Sequence, residues 1–211
     1  MKLFKPVGFE ELTRMYNDNM RSYALHPDHQ PTFSLAPNID FAIRVARVWK
    51  TKSEPYAGYV TECEVADDYG KTFPARQALK KSDKESWIMP DELEEFNKHI
   101  KGSIKVASGY FGPQFRGNVP EHFNFAGRDA LAQFVMLSYL LNFSRMDFIG
   151  EVHANSLAVF LHFPYWEICD LDKTEISDDQ RLKVLDSIEK IWSKELPELP
   201  RLSSEGNGPA T

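Results

Sequence analysis

Closely spaced glycines of the kind that hold phosphates are missing from this sequence. Its 211 residues include 11 glycines, and none falls in a GxGxxG or GxxxxGK[ST] pattern. Both the Rossmann turn and the P-loop need such glycines, because backbone amides must approach the phosphates closely. GxSxG and HExxH are absent as well, which argues against an α/β-hydrolase and a zincin. Cysteine is scarce: Cys63 and Cys169 lie far apart, in strand-like sequence, with no CxxC. A disulfide framework or a zinc site is not expected, and a reducing cytoplasm fits best. No apolar run approaches the roughly 20 residues of a membrane span, and MKLFKPVGFEEL lacks the apolar core of a secretory leader. Positive charge is short too. A formal net charge of −6 argues against a surface-wide nucleic-acid binder, which needs clustered Lys and Arg.

What is present is core material and clear punctuation. The chain is 42% hydrophobic, ample for a packed interior. KLFKPVG predicts a short strand and FEELTRMYNDNM a helix with Leu12, Met15 and Tyr16 on one face. Residues 21–31 read as a loop and PTFSLAPN as a brief strand. Asn38 is placed to cap the helix IDFAIRVARVW. AGYVTECEV alternates as a strand, with Tyr59, Thr61 and Cys63 on one face. A basic loop over 67–84 leads into the strand ESWIM. Pro90 opens the helix DELEEFNKHI, Gly102 ends it, and SIKVASGYFG is a further strand.

Residues 1–112 thus form a mixed α+β block, and 113–125, rich in Gly, Pro and Asn, a junction. A C-terminal block over 126–202 follows, and 203–211 reads as a disordered tail. That block begins with a long helix whose apolar stripe is Leu131, Phe134, Val135, Tyr139 and Leu141. DFIGEVHANSLAVFLHF predicts a hairpin turning at Asn155-Ser156. The last helix is capped by Ser177, with Leu182, Leu185, Ile188 and Trp192 as its seam.

Three constellations carry possible chemistry. On the expected hairpin, Glu151, His153 and His162 share one face, a set able to bind a metal or move protons. The same face carries Ile149 and Phe160, so a mixed surface against a helix is the simpler reading. His26 and His29 in HPDHQP have no third ligand nearby and read as loop histidines. The third set is Lys5, Ser34 and Glu85, each at a strand edge. Lys71, Arg76, Lys80, Lys81 and Lys84 crowd the stretch before Glu85.

The segments LFKPVG, QPTFSLAPN, AGYVTECEV, ESWIMPDELEEFN and GYFG run in this order over about half the chain. Together they resemble the ADP-ribosyltransferase-like family, and more closely a group of short bacterial proteins labelled as ADP-ribosylation-related. In the family, a first strand carries Arg or His, a second carries Ser or Tyr before a helix, and a later strand opens on Glu behind a variable loop. Lys5, Ser34 and Glu85 hold these places. The short bacterial group has Arg and Tyr at the first two, and the second block of this chain extends beyond its shortest members.

The resemblance implies an α+β fold: an ADP-ribosyltransferase-like split β-sheet with flanking helices, here with a C-terminal α/β extension. It implies transfer of ADP-ribose from NAD to a macromolecular acceptor, protein or nucleic acid, by an intracellular toxin or defence effector with an antitoxin or regulatory partner. Lys5 would contact the NAD diphosphate or ribose. Phe33, Ser34, Asn38 and Trp87 would line the dinucleotide pocket. Glu85 would hydrogen-bond the ribose and stabilise an oxocarbenium-like transition state. The loop before Glu85, with Arg76, Lys80, Lys81 and Asp83, would choose the acceptor. Lys in place of Arg loses a bidentate fork. An NAD glycohydrolase, and a non-catalytic binding module using the aromatic C-terminal block, are the rival expectations.

Overall fold

The computed structural model describes residues 1–24, 33–72, 86–88 and 90–202. The chain divides into two compact units, Met1–Gly112 and Pro113–Thr211. In the first, β1 (Lys2–Gly8) leads into α1 (Phe9–Asn17), β2 (Phe33–Leu35) and α2 (Ile39–Val45). A π-helical turn (Ala46–Lys50), β3 (Ala57–Val65), α3 (Asp67–Thr72), β4 (Ser86–Ile88), α4 (Leu93–Lys98) and β5 (Ile100–Phe111) complete it. β1, β3 and β5 form an antiparallel sheet in the order β1-β3-β5, and β2 pairs antiparallel with β4. One bridge joins the two: the Phe4 N–H donates to the Ala36 carbonyl at 2.8 Å and the Ala36 N–H to the Phe4 carbonyl at 2.9 Å.

Each sheet face has its own cover. Leu3, Lys5 and Val7 on β1 stand opposite Cys63, Thr61 and Tyr59 on β3, so all six share a face. α1 supplies buried Leu12, Met15 and Tyr16. On the other face Ala42 and Ala46 bury against Val60, with Phe4, Ile39, Ile43, Ala107 and Tyr110 around them. Two alanines and Gly58 let this helical segment come close to β3. A Cβ on Gly58 would lie 2.3 Å from the Ala46 carbonyl oxygen and 2.7 Å from the Lys50 Cβ. Gly58→Ala is therefore expected to cost about 1–3 kcal/mol, as overpacking of a close contact does. An unchanged denaturation midpoint for this variant would contradict that packing.

Asn38 caps α2 as its sequence position predicts, its Oδ1 accepting the Asp40 N–H at 2.9 Å. Two local readings need correction. Residues 67–72, expected as loop, are helical, with Asp67 and Asp68 in the first turn complementing the helix dipole. Gly102 does not end a helix but lies inside β5 with φ +70°. It falls where the β3–β5 register slips between Glu62 and Glu64, a bulge that suits a glycine.

The second unit is helical among its described residues: α5 (Ala130–Phe143), α6 (Arg145–Ala154), α7 (Ser156–Trp166) and α8 (Asp178–Glu195). The predicted hairpin is thus two helices, and the expected α/β extension is an α extension. Ala158 to Pro164 on α7 are all buried in succession. A helix apolar on every side shows no 3.6-residue period and passes for a buried strand. Asn155 is the corner between helices, its N–H donating to the Glu151 carbonyl at 3.1 Å. The stripe on α5 also shifts: its buried face is Ala130, Gln133, Phe134, Leu137 and Ser138, while Tyr139 is 55% exposed. On α8, Ser177 does cap, but the seam is Val184, Leu185, Ile188, Ile191 and Trp192, and Leu182 faces out. Cys63 is buried in β3 and Cys169, expected in a strand, follows α7; both are free thiols. The overall class is mixed α+β.

Candidate functional site

Strand alternation points Lys5 into the face that α1 covers, so a lysine sits in an otherwise apolar row with Leu3 and Val7. It is buried, 6% exposed. A desolvated ammonium needs a partner. Glu11, in the first turn of α1, provides one: its Oε1 lies 2.5 Å from the Lys5 Nζ. The Lys5 ammonium also stands 5.9 Å from the centre of the Tyr23 ring. Burial pulls the Lys5 pKa below its ordinary value, Glu11 opposes this, and the charges of Lys50 and Arg14 add to the lowering.

A chain of hydrogen bonds fixes the surroundings. The Thr61 hydroxyl donates to the Lys5 carbonyl at 3.1 Å, so the Tyr23 hydroxyl, 3.1 Å away, donates to Thr61. Asn97 holds Tyr23 by its backbone, accepting the N–H at 3.0 Å and donating to the carbonyl at 2.8 Å. Burial holds the Tyr23 phenol well above its ordinary pKa and pushes the Cys63 thiol up to about 12. Cys63 is therefore a thiol at neutral pH and not a nucleophile.

The other predicted residues fall as follows. Phe33 pairs with Ile88 and Ser34 with Trp87 across β2 and β4, so two expected pocket residues are cross-strand neighbours along the backbone. The Asn38 side chain is engaged in capping α2. Glu85, Arg76, Lys80, Lys81 and Asp83 lie outside the described residues, as do Lys84, His26 and His29. Glu11, Arg14, Tyr23 and Thr61 escaped the sequence reading. The available signal was a lysine in a buried strand row six residues before an acidic first turn.

The trio expected on the hairpin does not assemble. His153 Nε2 pairs with Glu195 at 3.2 Å. The Glu151 carboxylate is buried under four donors: the Asn124 N–H (3.2 Å), Asn124 Nδ2 (2.8 Å), the Phe125 N–H (3.0 Å) and Asn155 Nδ2 (2.8 Å). His162 Nε2 accepts the Asn118 N–H at 2.8 Å, so the proton sits on Nδ1 and is donated to Gln133 Oε1 at 2.9 Å. Gln133 Nε2 donates to the Asn118 and Arg128 carbonyls, both at 2.7 Å, which sets its amide orientation. Burial lowers the His162 pKa from 6.5 to about 3. These are satisfied structural networks. Among the described residues no group of three His, Cys, Asp or Glu is placed to hold a metal ion.

Comparison with family models, curated proteins and solved structures returns no match in any of the three. Among the described residues no helix is long and apolar enough to cross a membrane.

Proposed function

We propose that the protein transfers ADP-ribose from NAD to a macromolecular acceptor, using Glu85 as the carboxylate that stabilises the ribosyl cation, within an ADP-ribosyltransferase-like split sheet. One observation supports the reading. Three strands far apart in sequence, the ones expected to carry its site, are lateral neighbours. Ser86, which follows Glu85, pairs with Leu35; Ala36 comes next and is bonded to Phe4; Lys5 follows Phe4. In this reading Lys5 acts as a fixed positive charge set by Glu11 rather than as a flexible arm. Ser34 and Trp87 are cross-strand partners on the β2–β4 ladder. The acceptor, protein or nucleic acid, would meet the basic stretch before Glu85. A toxin or defence effector in the cytoplasm, restrained by an antitoxin, is the setting that suits such chemistry.

The test is labelled NAD with cell lysate, comparing wild type with Glu85→Gln. Wild type is expected to label a macromolecule, and the variant to lose about a hundredfold or more in rate. Equal labelling by both removes Glu85 from the mechanism. Free ADP-ribose without a labelled macromolecule converts the activity to NAD hydrolysis. A second reading, a non-catalytic binding module, draws on α5 and α6: Tyr139, Phe143 and Met146 are 55%, 90% and 82% exposed. Calorimetry that shows no NAD binding, together with a partner captured by residues 120–200, supports it.

A further inference from the structure

α5 is apolar around most of its circumference, but only one side of it is packed. Ala130, Gln133, Phe134, Leu137 and Ser138 are buried. On the opposite side Ala132, Val135, Met136, Tyr139 and Phe143 recur at helical spacing. Ala132, Val135 and Met136 are half-buried, whereas Tyr139 is 55% and Phe143 90% exposed. Met146, just past the α5–α6 corner, is 82% exposed. Single hydrophobic residues scattered on a surface need no explanation, but a contiguous row along one helix marks a contact face.

The two ends of this row have complementary shapes. The first half lines a cleft of about 310 Å³, with Ala132, Val135, Met136 and Tyr139 as walls and Arg128 and Asp129 at its N-terminal end. The second half ends in the protruding Phe143 ring. Ala132 and Phe143 lie roughly 16 Å apart along the axis, at about 1.5 Å per residue. A chain therefore does not reach its own cleft with its own Phe143. A second copy does. Laid antiparallel about a two-fold axis midway between these residues, two α5 helices bring each Phe143 over the other's Ala132. Each Met136 then meets the other's Tyr139. Both rings and both clefts are used, so the assembly closes at two.

Charge favours the same arrangement. Arg128 and Asp129 stand at the start of the row, and Arg145 and Asp147 just beyond its end; Asp129 is half-buried and the other three are exposed. An antiparallel pair sets Arg128 near Asp147 of the second copy and Asp129 near its Arg145. A parallel pair would set each end against its own kind and leave both clefts empty. Exposed ion pairs add little affinity, but they select orientation. These four charges also sum to zero, which gives the face no pull on nucleic acid or an anionic surface. Aromatic residues, Met and Arg are the types enriched where protein meets protein.

We propose that α5 is a self-association surface: two copies of the chain pair antiparallel through it, with Phe143 of each seated in the cleft at Ala132 of the other. The pairing is independent of the transfer chemistry and names an occupant for the exposed face of α5.

Sedimentation equilibrium of the full chain over a wide concentration range tests it. Wild type is expected to be a dimer. Phe143→Asp is expected to raise the dimer dissociation constant about a hundredfold or more, because one substitution removes two anchors from a two-fold interface. Its side chain is 90% exposed, so melting and circular dichroism should match wild type. Asp147→Arg is expected to weaken the dimer by setting two arginines together, and Arg128→Asp added to it is expected to restore association. Recovery in the double variant is a readout that damage to the fold does not produce. A wild type that remains a monomer at its highest soluble concentration overturns the proposal, whatever other protein it binds. So does a dimer that Phe143→Asp leaves intact. A dimer weakened by Phe143→Asp but not rescued by the charge exchange overturns the antiparallel arrangement.

Discussion

Gly117→Ala is expected to destabilise the C-terminal unit by on the order of 3–5 kcal/mol, far more than a surface glycine should. Three costs add at this position. The backbone sits at φ +74°, which for a residue with a Cβ costs about 1–2 kcal/mol. The new Cβ would lie 2.1 Å from His162 Nε2 and 2.8 Å from both carbons beside it. The ring has little room to retreat: it is wholly buried, with Phe115 and Trp166 at 5.9 and 5.7 Å and Gln133 bonded to Nδ1. Moving it breaks the part-buried Asn118 N–H bond to Nε2, roughly 1 kcal/mol more. Gly150→Ala is the control. It lies within α6, no atom stands within 4 Å of its added Cβ, and the exchange is expected to raise stability by up to about 1 kcal/mol. Urea melts of the two variants should move in opposite directions. A Gly117→Ala midpoint equal to wild type would mean that the loop does not pack on His162 at all.

Legibility in the sequence followed the range over which each signal acts. Asn38 and Ser177 were visible as caps because a cap is decided within three residues, and both accept the expected backbone N–H. The strand at 57–65 was visible because one of its faces is less buried: Glu62 and Glu64 alternate with fully buried Thr61 and Cys63. α7 was not, because both the helix and the strand hypotheses predict an unbroken apolar run when every side is covered. Seeing Glu151 and His162 as partners was a consequence of that error, since two residues alternating on a strand share a face and on successive helices do not. The site shows the same divide. Alternation gives the face to which Lys5 belongs, but not the atom that meets its ammonium. Glu11 reaches it only because α1 folds back over β1 directly after Gly8, and Arg14 is brought in by the same reversal. The β2–β4 pairing, which sets Ser34 against Trp87, depends on register between segments more than fifty residues apart, and nothing local encodes it.

Acid should loosen the protein through His162, and the direction follows from its protons. The imidazole has its pKa lowered to about 3 in the folded chain, against an ordinary value of 6.5. Between these values the unfolded chain holds a proton that the folded chain refuses. Stability contributed by this group is therefore complete above pH 6.5, falls as the pH drops towards 3, and levels off below it. The total is on the order of 4 kcal/mol for a displacement of this size. Burial of the ring disfavours the charged form, and the hydrogen bonds add a reason of their own. An imidazolium has two donors, while the partner of Nε2 is the Asn118 N–H, itself a donor, so protonation sets one N–H against another. Only Nδ1 would keep its acceptor, Gln133 Oε1. Carboxylates elsewhere contribute to acid sensitivity too, so the informative quantity is a difference between proteins. Urea midpoints from pH 7 to 3.5 should fall more steeply for wild type than for His162→Gln, whose amide has no proton to gain. The variant starts from lower stability at pH 7, having lost the ring contacts with Phe115 and Trp166, and the two curves should converge as the pH falls. Parallel curves would mean that the ring is reached by water and takes its proton at an ordinary pH.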